Sequence, residues 1–133
     1  MMVASSLVFT AQGKVVEAYN TCCSVLSQLG EEIPELIPLA LVERMVPEVL
    51  HMYGQANEWV SKKMEDKNII LIAKFYTTIA TAAYFCKPAH MVAYFICKTV
   101  LLSLQHGVCQ YTPLALVQIS FIASRFDTAS FTL

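Results

Sequence analysis

Between Lys67 and His106 the chain carries two apolar runs separated only by Lys87 and Pro88. In Lys67–Cys86 the polar stripe is Lys67, Lys74, Thr77, Thr78 and Thr81. In 88–106 it is little more than Tyr94, Lys98 and Gln105. A helix that is apolar nearly all round must be covered on most sides, by other helices or by lipid. That requirement constrains the fold more than any other feature. The 133 residues suffice for one domain. Hydrophobic residues make up 56 % and charged residues 14 %, against roughly 45–50 % and about 25 % in ordinary globular chains. The chain therefore has a large core to build and little polar surface to wrap around it. A neighbouring domain, a partner or a membrane is expected to cover the rest.

Strand signals are scarce: there are only four glycines, and no run alternates between polar and apolar. Six helical segments are expected. The first, 2–12, is weak. The second, 14–29, is amphipathic, with Val15, Ala18, Cys22, Val25, Leu26 and Leu29 on one face. Gly13 breaks the pattern before it, and Gly30 sits where a left-handed C-terminal cap belongs. The third starts near Pro34 or Pro38 and runs to Tyr53, closed by Gly54, with Pro47 expected to kink or split it. A short piece, 57–63, carries the single tryptophan, Trp59. Lys67–Cys86 follows with Asp66 as N-cap. The next helix begins at Pro88 and ends at Gln105 or His106, with Gly107 as its cap. The last opens with Thr112 as N-cap and Pro113 at the first position, and reaches about Phe126. The expected fold is all-α, with antiparallel helix pairs stacked as an α-solenoid. Residues 1–126 form a single helical-repeat domain, and 127–133 a frayed or irregular Ser/Thr-rich tail.

The residues exclude more chemistry than they offer. Net charge is −1, from nine basic and ten acidic residues without a basic patch, so nucleic-acid binding has no electrostatic support. The five cysteines are odd in number and lack Cys-x-x-Cys spacing. This fits a reducing compartment and a cytoplasmic chain better than a disulfide framework. Residues 1–12 have no basic n-region, so no signal peptide is expected. Cys86 and His90 are separated by Pro88, and His106 and Cys109 by Gly107. Neither pair shares a helical face, and no second pair completes a zinc site. No catalytic, metal or cofactor-binding residue is expected. Phosphate-binding glycine loops are absent, and no enzyme activity is expected. Glu58 with Lys62, and Arg44 with Glu48, have the spacing of helix-surface pairs. Tyr84, Phe85, Tyr94 and Phe95 are expected in the core. A membrane hairpin of 67–86 and 88–106 is the alternative. It would bury Lys74 and Lys98, each costing roughly 2.5–3.5 kcal/mol at a bilayer centre.

A further set of residues carries a resemblance. The stretch from Phe9 through Gly13 to Ala18 looks like the turn and second helix of a tetratricopeptide unit. The run from Val25 to Gly30 follows, with Ile33-Pro34. Later come Met64-Glu65-Asp66, Ala83-Tyr84, Pro88, and Val100 through His106-Gly107. This order is similar to the tetratricopeptide-like helical region of large predicted AAA-type (STAND) signalling ATPases and multi-sensor hybrid serine/threonine–histidine kinases. It covers roughly residues 7–126. Two departures are Lys67, where the family often has proline, and 108–113, which replace its Gly-Asn/Ser stretch. The resemblance implies a non-catalytic helical arm that contacts a protein partner or a neighbouring domain. It also implies that the chain is a fragment of a longer protein, because the first unit begins halfway through. The polar stripe Glu17, Asn20, Thr21, Ser24 and Gln28 is the candidate interaction face.

Overall fold

The computed structural model describes residues 2–55 and 62–130, with side chains over 13–55 and 62–124. Among the described residues the chain is all-helical. Its five helices are α1 (Met2–Gln28), α2 (Leu39–Gln55), α3 (Lys67–Cys86), α4 (Ala89–His106) and α5 (Thr112–Ser130). The expected helix 57–63 with Trp59, and Glu58 of the Glu58–Lys62 pair, lie in or border the stretch 56–61, outside the described residues.

The most apolar run becomes the centre of the packing. α4 lies against α2, α3 and α5, while α1 packs on α3 and α2 also touches α5. Enclosure on three sides explains why α4 buries Met91, Ala93, Tyr94, Phe95, Ile96, Cys97, Thr99, Val100, Leu102 and Ser103. Thr99 and Ser103 are tolerated there because their hydroxyls bond back to Phe95 O (3.3 Å) and Thr99 O (3.1 Å). α3 and α4 are joined by two residues, so they must run antiparallel. Asp66 caps α3 as expected, its carboxylate accepting from Asn68 N at 2.9 Å.

Gly13 does not form a turn. α1 runs unbroken from Met2 to Gln28 and merges the two expected segments. An interior glycine costs about 1 kcal/mol relative to alanine, too little to end a helix when no proline or positive-φ residue follows. Gly30 does end one. Its φ is +94°, Glu31 N bonds Leu26 O (2.8 Å) and Gly30 N bonds Ser27 O (3.1 Å), the paired bonds of a Schellman cap. α2 starts after Pro38 rather than Pro34. It continues through Pro47 and through Gly54 to Gln55, so Pro47 does not split it. Val46 and Val49, both buried, hold that segment on either side of the proline.

Thr112 takes a different role from the one expected. Its hydroxyl does not cap a later amide of α5. It accepts from Cys109 N at 2.9 Å and pairs with Ser103 Oγ at 2.8 Å, with both side chains fully enclosed. This knot fastens the start of α5 to the last turn of α4. Thr112→Val keeps the shape and leaves the Cys109 amide without that acceptor, so a loss of about 1–3 kcal/mol is expected. Urea denaturation would show it as a lower midpoint with an unchanged slope.

Candidate functional site

Three surface features bear on function. The first is the polar stripe of α1. Glu17, Asn20, Thr21, Ser24 and Gln28 are all exposed and follow one another at helical spacing. Tyr19, Cys22 and Leu26 on the opposite side are buried. This is the division that amphipathicity demands. The loop after α1 is strapped to the body at two points. Tyr76 Oη donates to Glu31 Oε1 at 2.9 Å, and His90 Nε2 lies 2.7 Å from Ile37 O. Burial and the neighbouring Glu31 carboxylate hold the Tyr76 phenol well above its ordinary pKa, so it stays a donor.

The second feature is the outer side of α5. Its inner side buries Ala115, Ile119 and Ala123. Its outer side presents Leu114 (52 % exposed) and Val117 (67 %), with Phe121 on the following turn also exposed. The hydrophobic pattern separates inside from outside only weakly here: Ser120 and Ser124 are exposed, but Leu114, Val117 and Phe121 share that outer side. The sequence signal was present but ambiguous: only packing on α4 decides which stripe turns outward.

The third is a cleft of about 310 Å³ lined by Lys62, Lys63, Glu65, Asp66 and His106. It lies where the segment before α3 meets the end of α4. Met64 N bonds Val108 O (2.9 Å) and Val108 N bonds Lys62 O (2.8 Å), a single parallel bridge. Its charges are mixed, its lysines and carboxylates are exposed, and Asp66 is already engaged as a cap.

The residues with chemical promise do not converge. Cys86 Sγ bonds Ala82 O at 3.3 Å while His90 reaches Ile37 O. Cys109 sits with Thr112 and His106 lines the cleft. Among the described residues no three of His, Cys, Asp and Glu gather as metal ligands. The expected aromatic core is half right. Tyr94 and Phe95 are buried, but Tyr84 and Phe85 are 72 % and 67 % exposed, stacked edge to face at 5.2 Å. Ala82 and Ala83 take the inward positions of that last turn of α3, which turns the next two residues outward. Among the described residues α3 is the one helix long and apolar enough to cross a membrane. α4, the other half of a hairpin, falls short of that measure. Compared with known proteins, the chain matches no family model, no curated protein and no solved structure.

Proposed function

We propose that this chain is a non-catalytic helical scaffold, making protein–protein or interdomain contacts as the helical arm of a signalling ATPase or kinase does. The outer stripe of α5 carries the reading. Single exposed apolar residues are ordinary on any surface, but Leu114 and Val117 lie one turn apart on a helix whose other side is already buried. A helix apolar on two sides is built to be covered on two sides. In a stack of helix pairs, each unit offers such a side to the next. On this reading α3 and α4 form one antiparallel pair and α5 opens the next, in a cytoplasmic chain that needs no cofactor. The polar stripe of α1 is the second contact face.

Site-specific photo-crosslinking in cells tests this. A benzophenone side chain at Val117, and separately at Ser24, reports what lies against each face. Capture of a protein at Val117, lost when Leu114→Glu is added, is the expected result. A folded chain that crosslinks at neither position would sink the proposal.

A further inference from the structure

Charge is unevenly divided along this chain. Within 67–126 every charged residue is basic, namely Lys67, Lys74, Lys87, Lys98 and Arg125, and there is no acid. Two of those lysines lie on the outer side of α3. Lys67, Leu71, Lys74, Thr78, Thr81 and Phe85 are all exposed and fall within about 80° of one another around the helix. The opposite side buries Ile72, Ala73, Tyr76, Ile79, Ala80 and Ala83. The Thr78 and Thr81 hydroxyls donate to Lys74 O at 2.9 Å and Thr77 O at 3.1 Å, so they ask for no partner. Tyr84 flanks Phe85, and both rings stand in solvent against each other. Lys87 follows, exposed, with its ammonium 4.8 Å from the Tyr19 ring centre. The acids nearest in the chain, Glu65 and Asp66, precede α3, and Asp66 is engaged as its cap. The line escapes a search for basic runs because Lys67 and Lys74 stand two turns apart.

Two large aromatic rings side by side in water, at the end of a cationic line, require a covering that is both apolar and negative. A protein partner would need carboxylates in register with lysines spread along one helix. An anionic bilayer offers negative charge in any register, and its headgroup level takes up aromatic rings and lysine stems. We propose that the outer side of α3 is a peripheral docking surface for an anionic lipid bilayer. α3 lies parallel to the membrane rather than across it, because its inner side is packed on α1 and α4. Leu71, Tyr84 and Phe85 enter the headgroup level, while Lys67, Lys74 and Lys87 meet lipid phosphates and carboxylates. Each lysine near such a surface strengthens binding about fivefold. With so few of them the attachment is reversible and is screened away at high salt. The docking surface goes beyond the scaffold reading and does not depend on it.

The test floats the full chain through a density gradient with vesicles of phosphatidylcholine, with and without phosphatidylserine. Flotation separates vesicle-bound chain from aggregates, which sink. The expected result is binding to the phosphatidylserine vesicles at low salt, release at high salt, and none to phosphatidylcholine alone. Lys67→Gln with Lys74→Gln should weaken binding about 25-fold, by two fivefold steps. Tyr84→Ser with Phe85→Ser should weaken it at least about tenfold. Both pairs are exposed, so Tm should hold. Arg44→Gln, which removes the same charge from α2, should leave binding unchanged. No binding at low salt, equal binding to uncharged vesicles, or indifference to the α3 variants would overturn the proposal. So would attachment that survives alkaline carbonate, the mark of a spanning helix, or capture by polyglutamate without uptake by vesicles, the mark of an acidic protein partner. The wild-type comparison of the two vesicle types stands as evidence even where a variant folds poorly.

Discussion

Gly107→Ala is expected to destabilise the chain by about 3 kcal/mol or more, lowering Tm by roughly 10 °C. Two costs combine. Gly107 has φ +101° and ψ −179°, a conformation that essentially only glycine adopts. A Cβ there would also stand 2.6 Å from Lys62 O and 2.9 Å from Lys62 C. Those are backbone atoms, so no side chain can swing away. Moving the carbonyl would break its 2.8 Å bond to Val108 N and open the bridge joining the two segments. Two other glycines serve as controls. Gly30 has φ +94° and nothing within 4 Å of a built Cβ, so Gly30→Ala should cost only the backbone part, about 1–2 kcal/mol. Gly13 also has open space and sits inside α1, so Gly13→Ala should stabilise by up to about 1 kcal/mol. Thermal melts of the three variants would give that order. Destabilisation by Gly13→Ala would contradict the unbroken α1.

Phe95→Ala is expected to cost about 3–5 kcal/mol. Phe95 is 0 % exposed at the middle of α4. Its ring meets Tyr19 of α1 at 6.0 Å, Tyr76 of α3 at 6.5 Å and Tyr94 at 5.4 Å. The Tyr19 and Tyr94 contacts are edge-to-face, which adds about 0.5–1.5 kcal/mol per pair beyond burial. Removing the ring leaves a cavity that three helices would have to close together. Phe85→Ala removes the same atoms from a position 67 % exposed and should change stability by no more than about 0.5 kcal/mol. Denaturation midpoints at a common slope would separate the two. A Phe95→Ala loss as small as that of Phe85→Ala would show that the α1–α3–α4 junction is not the core.

The sequence made the helices legible where two kinds of signal agreed. The run 67–106 announced two buried helices by its apolar content, and Asp66 and Gly107 marked their ends. The α1 stripe from Glu17 to Gln28 was readable because its polar residues recur at 3.6-residue spacing, although Ala18, expected on the apolar face, is exposed. Most of the errors share a cause: a local preference of about 1 kcal/mol for glycine, and about 3 kcal/mol for proline, was outweighed by neighbours. Gly13 prefers to break a helix, yet α1 continues. Pro47 lacks an amide, yet the buried valines beside it keep α2 intact. Thr112 has a capping side chain, yet Ser103 and the Cys109 amide claim it. Tyr84 and Phe85 are as apolar as Tyr94 and Phe95, and only the direction of one helical turn sends the first pair outward. The candidate apolar face on α5 was hidden because Leu114, Val117 and Phe121 share the outer side with Ser120 and Ser124, so the polar residues alone do not mark an apolar stripe there.

The scaffold reading rests on that bare side, and sedimentation velocity across a concentration series tests it most directly. Taken alone, without a partner or neighbouring domain, the wild-type chain is predicted to self-associate as concentration rises. Leu114→Glu with Val117→Glu should restore a monomer without lowering Tm, because both positions are exposed and acidic residues are favoured near the start of a helix. A wild-type chain that sediments as a monodisperse monomer at every concentration, melts cooperatively and is unaffected by the two substitutions would contradict it.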